Sequence, residues 1–461
     1  MTAALPDYDV TDPAALALPR EQLRAIQDER LRAMVRYVYE RSPFWRRKLT
    51  EAEVRPEEIE GIADLARLPF TSRTELDAEQ SAHPPFGEYT CSSREQWMGL
   101  FTTSGTSGRK LKRVVSRRDW RLMLDRFYRH PAPPPGEMFM LLGPVDGLLG
   151  PAVGVEAMRE RGAIPVLAGT WDTRTKVLAI AELRPGAIAG AASYIIHLAE
   201  VAQEMGVDLA SCGLRAVTSF GEPGAAVDAT HAAIAERYGV GEIIDGYGLT
   251  EVWPLGGNCP FSAALHIADD LAAVECVDPD SGEQLPEGET GEIVFTNLIG
   301  DTQPLLRYRS RDVGQLTFST PCACGSTVTR IERIEGRTDD MIWYRGANFF
   351  PSAVEEIVRS HPELTPEYRI VLDDGRRGLP VVTIQVEAAS GTGAPEALRD
   401  PLRAALRSGL GVNPEVEVLA AGSLPRAQQS KARRVLDRRA GRSATVRGSG
   451  MSRRAQRDQG S

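Results

Sequence analysis

Between residues 138 and 250 the chain alternates short apolar runs with stretches of helical periodicity, and this constrains the fold more than any other feature. The runs are MFMLLG, AIPVLAG, GAIAGA, LRAVTSFG and EIIDGYG, several of them ending in glycine or a turn residue. The pattern predicts repeated β-α units around a largely parallel sheet. Upstream, REQLRAIQDERLRAMVRYVYERSPFWRRKL has apolar residues at helical spacing and breaks at Ser42-Pro43. From 272 to 318 the character changes. AAVECVDPDSGEQLPEGETGEIVFTN alternates strands with Gly, Pro and Asp turns, which predicts a small antiparallel, barrel-like part. A boundary falls near 336–340, followed by a shorter α+β segment. The expected fold is therefore α/β, with a large N-terminal unit over 1–336, a small α+β unit over 337–438 and a basic tail over 439–461 on which no structure is forced.

Composition narrows the function. The formal net charge is −9, with nine Arg and two Asp from Ala432 onward, so the tail carries about +7 and the rest about −16. The acidic body argues against nucleic acid as a partner. The start has no basic region followed by an apolar core, and MFMLLGPVDGLLGPAVGV is broken by Pro144, Asp146 and Pro151, so neither a signal peptide nor a membrane span is expected. Six cysteines in 461 residues make no disulfide scaffold, and a cytoplasmic location is the default. Basic residues are nearly all arginine; the five lysines are Lys48, Lys110, Lys112, Lys176 and Lys431. Chemistry that needs a compact ammonium cannot readily use a guanidinium, so each lysine is informative.

The stretch TTSGTSGRKLK, 102–112, is dense in glycine, hydroxyls and positive charge. Its glycines, Gly105 and Gly108, do not fit the Walker spacing. The physics of anion binding still applies: glycines let backbone N–H groups turn toward an anion, hydroxyls add donors and lysines add charge. Taken alone, the stretch serves equally as a phosphate cradle or as a polar surface loop.

Five further segments follow in order: SFGEPG (219–224), DGYGLTE (245–251), RYRSRD (307–312), GRTDDMIWYRGANFFP (336–351) and LPRAQQSK (424–431). With the loop they closely resemble the motif series of the adenylate-forming enzymes, the superfamily of acyl-CoA synthetases and adenylation domains. RLRAMVRYVYERSPFWRRKL and LARLPFTSRTEL bring the resemblance nearest to the phenylacetate-CoA ligases and their aryl-acid relatives, and it runs from about residue 20 to 437. It implies activation of a carboxylic acid by ATP to acyl-AMP with pyrophosphate release, then transfer to a thiol, usually coenzyme A.

The resemblance also implies roles. Thr103, Ser104, Gly105, Thr106, Ser107 and Gly108 would cradle the β- and γ-phosphates, with Lys110 just beyond. Glu251 would hold Mg²⁺, a hard cation suited to carboxylate and phosphate oxygen, and Thr250 would touch the α-phosphate. Tyr247 would offer a ring to the adenine, lined by Gly221, Glu222 and Pro223, with Asp245 in the same nucleotide set. Asp312 would accept both ribose hydroxyls and Arg337 would support ribose or phosphate. Lys431 would bridge carboxylate and α-phosphate, although Gln429-Ser430 stands where relatives have a glycine before the lysine. The small unit, 337–438, would be a mobile lid carrying that lysine. It would pivot at Asp339, with Gly346 beside a coenzyme A tunnel. The acyl pocket would be walled by Val145, Asp146, Leu148, Leu149, the AASY segment and Gly246, and the acid is expected to be aromatic, such as an anthranilate or hydroxybenzoate.

Cys259, His266, Cys322 and Cys324 raise a separate question. One His and three Cys make a closed tetrahedral set for structural Zn²⁺, which some phenylacetate-CoA-ligase-like proteins carry; the alternative is four unrelated residues. The expected partners are an aryl carboxylate and an acyl acceptor, either coenzyme A or a carrier protein, with a homodimer left open and no membrane or nucleic acid. Three readings stand: an aryl-CoA ligase, an enzyme of the same fold that passes acyl-AMP to a carrier thiol, amine or hydroxyl, and a non-catalytic binder.

Overall fold

A computed structural model describes residues 4–103, 110–130, 133–222, 224, 228–344, 347–374, 380–389, 391–392, 394–425 and 434–439. The five apolar runs form the strands Met138–Leu141, Ile164–Leu167, Ala187–Gly190, Ala216–Phe220 and Glu242–Leu249. All pair in parallel, and helices Leu149–Glu160, Thr173–Leu183, Ala192–Glu204 and Asp228–Tyr238 follow the first four. Met140, Ile188 and Val217 are fully buried among Val177, Ile180, Ile195 and Leu198 from those helices. This is the packing that a continuously apolar strand requires.

The antiparallel strands expected over 272–318 are hydrogen-bonded onto this parallel set through two further strands that precede them. Strand Glu242–Leu249 turns back antiparallel into Trp253–Cys259 and then Ser262–Ile267. Ala272–Val277, Thr290–Asn297, Tyr308–Thr317 and Arg330–Arg337 complete a single eleven-stranded sheet. Their core, with Ile293, Phe295, Leu298 and Ile331, is continuous with Leu31, Met34, Val38 and Trp45 of the N-terminal helices Arg20–Arg41 and Pro43–Glu51. Ser42 separates those helices and its hydroxyl accepts from Trp45 N at 3.0 Å, capping the second.

A separate core lies beyond residue 340. Strands Leu364–Asp374, Pro380–Ala388, Glu415–Leu419 and Val435–Asp437 form a four-stranded sheet. Val354, Val358, Leu402 and Leu406 of helices Pro351–Arg359 and Arg399–Leu410 pack against its Ile370, Ile384 and Val386. The N-terminal helices, the α/β layer and the small α+β unit thus follow one another in chain order. Among the described residues no helix is long and apolar enough to cross a membrane.

One buried ionic contact fixes the strand that carries several site residues. Arg307 and Glu275 pair at 3.0 and 3.1 Å, with side chains 4% and 2% exposed. Arg307 also donates to the carbonyls of Ala66 and Leu68 and lies 3.9 Å over the Phe70 ring. Its backbone is left-handed, φ 43°, a conformation costing an arginine roughly 1–2 kcal/mol. Removing one partner of such a pair strands the other charge in the core. We expect Glu275→Ala to lower the unfolding free energy by about 3–5 kcal/mol, measured by urea denaturation. A loss below about 1 kcal/mol would mean the pair is not holding this junction.

Candidate functional site

Several of the residues singled out by sequence meet around strand Tyr308–Thr317. Strand Tyr308–Thr317 carries Asp312 opposite Arg337 of strand Arg330–Arg337. Asp312, 6% exposed, accepts from the Tyr247 hydroxyl at 2.6 Å on one oxygen and from Arg337 at 3.0 Å on the other. Burial and the neighbouring carboxylate raise the Tyr247 phenol well above its ordinary range, so it stays a donor. The Tyr247 ring lies 6.0 Å from that of Phe295. Strand Glu242–Leu249, which carries Tyr247, runs into a turn that holds Thr250 and Glu251.

Arg337 is shared. Its Nε donates to Asp339 at 3.0 Å, and the other Asp339 oxygen accepts from Arg311 at 3.1 Å. Burial pushes the Asp339 carboxyl up, but the two guanidinium groups outweigh it and hold the carboxyl below its usual value. Arg311 takes a left-handed φ of 68° and also reaches the Thr74 hydroxyl at 3.2 Å. Asp339 is therefore tied to the strand that carries Asp312, at the junction between the two cores.

The glycine-rich loop leaves the tip of a two-stranded hairpin, Trp97–Thr102 with Lys112–Ser116. Thr103, 3% exposed, closes the tip: its N–H donates to Leu111 O at 3.1 Å and its hydroxyl accepts from Leu111 N at 3.2 Å. Lys110 is exposed beside it. Residues 104–109, hence Ser104, Gly105, Thr106, Ser107 and Gly108, lie outside the described residues, as do Pro223, Gly346 and Lys431.

Sequence reasoning missed Arg73. Helix Arg73–Ala82 begins in LPFTSRTEL, and Arg73 donates to Glu251 Oε1 at 2.8 Å and to the Thr103 hydroxyl at 3.0 Å. It joins the two residues expected at the phosphates. An arginine on an N-terminal helix, some 180 residues from Glu251, offered no local signal; only the tertiary pairing reveals it.

The remaining expectations are placed as follows. Glu222, after Gly221 with φ 86°, accepts from Ser193 N at 2.7 Å and so caps the start of helix Ala192–Glu204 in the AASY segment. Asp245 is buried beneath the sheet end, accepting from the Ser219 hydroxyl at 2.6 Å, with Gly246 next to it on the same strand. Val145 packs against Leu141, Val155 and Ala189 beside Phe220. Asp146 is exposed, Leu148 half-buried, and Leu149 is turned into the main core.

Cys259, His266, Cys322 and Cys324 come together where strands Trp253–Cys259 and Ser262–Ile267, inside the sheet order, meet the segment before Arg330. Their ligand atoms all lie within 4.8 Å of one another. Cys259 Sγ is 3.7 Å from Cys322 Sγ, and Cys324 Sγ is 3.6 Å from His266 Nε2. His266 Nδ1 lies 3.1 Å from Ala264 O, which engages that nitrogen and leaves Nε2 toward the sulfurs. Burial lowers the imidazole below its ordinary value, favouring the neutral form.

Comparison with known proteins gives the family. The AMP-binding enzyme family matches residues 13–298, and the AMP-binding enzyme C-terminal domain residues 346–439. Phenylacetate-coenzyme A ligase of Thermus thermophilus is 35% identical over 93% of this chain and 99% of its own length. That of Aromatoleum evansii is 31% identical over 91% of this chain and 95% of its own. A solved 2-hydroxyisobutyryl-CoA ligase in its postadenylation state, with an acyl-AMP bound, is 29% identical over 95% of this chain and 94% of its own, with TM-score 0.85. In its thioesterification state the same relative gives 0.68 at equal coverage of this chain, so the two parts of this chain are arranged as in the former. The chain belongs to the AMP-binding, adenylate-forming enzymes, among the relatives of phenylacetate-CoA ligase, and is an AMP-forming acid–CoA ligase.

Proposed function

We propose that the chain activates an aromatic carboxylic acid and delivers it to coenzyme A, with the described cluster as its nucleotide site. In the first half-reaction a carboxylate oxygen attacks the α-phosphorus of ATP. The new O–P bond gives acyl-AMP, and the bond to the β-phosphate breaks to release pyrophosphate. In the second, a thiolate attacks the acyl carbon and AMP departs. The observation that carries the reading is the buried Asp312 carboxylate, whose oxygens meet Tyr247 and Arg337. A carboxylate so held can accept two vicinal ribose hydroxyls without reorganising. Arg337 supports the ribose or phosphate, and the Tyr247 ring flanks the adenine with Gly221, Glu222 and Pro223. Thr103 anchors the β,γ-phosphate loop, Thr250 meets the α-phosphate, and Lys431, on the small unit, bridges the two reacting groups.

Glu251 fits a Mg²⁺ ligand. It is a carboxylate 11% exposed and within one arginine's reach of the loop threonine, and the ion would supply charge to the departing phosphates. Asp339, tied to Arg337 and Arg311, is the pivot that lets the small unit, 337–438, exchange Lys431 for the tunnel at Gly346. The aromatic acid rests on the phenylacetate-CoA ligase relatives and on the apolar wall around Val145 and Phe220. The 2-hydroxyisobutyryl-CoA ligase likeness favours a second reading, a small branched hydroxy acid. The Cys/His set fits structural Zn²⁺: three thiols and an oriented imidazole give a closed donor set. It would clamp strands Trp253–Cys259 and Ser262–Ile267 to the loop before Arg330 and take no part in the chemistry.

Two outcomes follow. Pyrophosphate release, run with and without coenzyme A over a panel of aryl and small hydroxy acids, is expected with an aryl acid and to yield a coenzyme A thioester. It should fall by about 100-fold or more in Lys431→Ala. Release with hydroxy acids alone would select the second reading, and release untouched by the substitution would remove Lys431 from the mechanism. Elemental analysis should find about one zinc per chain, lost in Cys322→Ser with lowered thermal stability but with the nucleotide affinity of the folded protein kept. A wild-type protein free of zinc after expression with added zinc would contradict the assignment.

A further inference from the structure

We propose that Arg73 is a ligand of the pyrophosphate end of ATP and leaves Glu251 for the β,γ-phosphates when the metal arrives. The inference rests on the placement of the nucleotide given above. Its starting point is a long-range ion pair beside the glycine-rich loop. Arg73 and Glu251 are separated by 178 residues and meet at 2.8 Å, with side chains 20% and 11% exposed. The same guanidinium donates to the Thr103 hydroxyl at 3.0 Å, at the mouth of the glycine-rich loop. An arginine that bridges the metal carboxylate and the phosphate loop stands where triphosphate oxygens must pass.

The backbone that carries Arg73 is held from both ends. Thr71, fully buried, donates its N–H to Arg307 O and its hydroxyl to Leu306 O, both at 2.9 Å, and accepts from Arg309 N at 2.9 Å. Farther along the helix, Gln80 donates to Lys112 O at 2.7 Å and accepts from Lys112 N at 3.1 Å, which fastens it to the hairpin behind the loop. Arg73 is thus presented by a fixed scaffold, as a preorganised charge must be.

Charge balance gives the direction of the exchange. A Mg²⁺ held by Glu251 would take up the carboxylate that Arg73 now pairs with, and the Arg73 guanidinium would then be available to a phosphate. A guanidinium fork matches phosphate as well as it matches carboxylate. The other described arginines at this site are committed to carboxylates of the hinge and ribose position: Arg337 to Asp312 and Asp339, and Arg311 to Asp339. After pyrophosphate leaves, Arg73 returns to Glu251 and neutralises it.

The test compares MgATP with AMP, which lacks the two phosphates concerned. Full-length wild type, Arg73→Ala, Arg73→Lys and Glu251→Gln are titrated calorimetrically with each nucleotide without acid. Arg73→Ala should weaken MgATP about 10- to 100-fold and leave AMP within about twofold, with Arg73→Lys between. Equal weakening of ATP and AMP would reduce Arg73 to a structural role and overturn the proposal. So would MgATP binding that depends on Glu251 but not on Arg73. MgATP binding indifferent to both residues would instead overturn the placement of the phosphates. If the alanine variant fails to fold, the same ATP-to-AMP ratio in the lysine variant decides.

Discussion

The site depends on a carboxylate that cannot be left alone. Asp312 is buried at the end of the large sheet, and a buried charge is tolerated only when its oxygens are satisfied. Tyr247 and Arg337 satisfy them. Those two partners come from different places: Tyr247 from the strand that ends the parallel set, Arg337 from the last strand before the small unit. One carboxylate therefore joins the residues proposed for the adenine and the ribose to those of the proposed pivot. Arg337 passes the constraint on to Asp339, and Asp339 passes it to Arg311, which reaches Thr74. The proposed nucleotide site and the proposed pivot share one charged network.

A second chain of contacts runs from the core to the proposed phosphate site. The Arg307–Glu275 pair holds the segment that leads into strand Tyr308–Thr317, that segment bonds Thr71, and Thr71 lies two residues before the helix whose Arg73 meets Glu251. Tyr308 itself faces Glu251, and burial with that charge raises its phenol well above the ordinary range. Left-handed φ values at Arg307 and Arg311 flank this stretch. Such strain in non-glycine residues persists where surrounding contacts over-determine it, and here both side chains are held by carboxylates.

Much of this was legible in the sequence because it is local. The five apolar runs with intervening helical periodicity became five parallel strands with four helices, since period and length alone separate such elements. Ser42 before Pro43 reads as a break and is a cap, because a hydroxyl there meets a free N–H. The Cys/His set was visible as a composition, although only the fold could place a loop cysteine against a strand histidine 58 residues away. The joining of the antiparallel strands into the parallel sheet was not legible: strand order is decided by which edges meet, not by any one segment. Arg73 was invisible for the same reason. In a chain whose basic residues are nearly all arginine, one guanidinium on a helix carries no signal until its carboxylate partner is known.

Asp312 is the structural clasp and, in the proposed function, also the ribose ligand. The most direct measurement is AMP affinity of Asp312→Asn beside its thermal unfolding. Asparagine keeps an oxygen for Tyr247 or Arg337 but loses the charge, so the account predicts a protein still folded at 25 °C with AMP binding weakened about 10-fold or more. A folded variant that binds AMP like the wild type would contradict it and leave the clasp without a part in nucleotide binding.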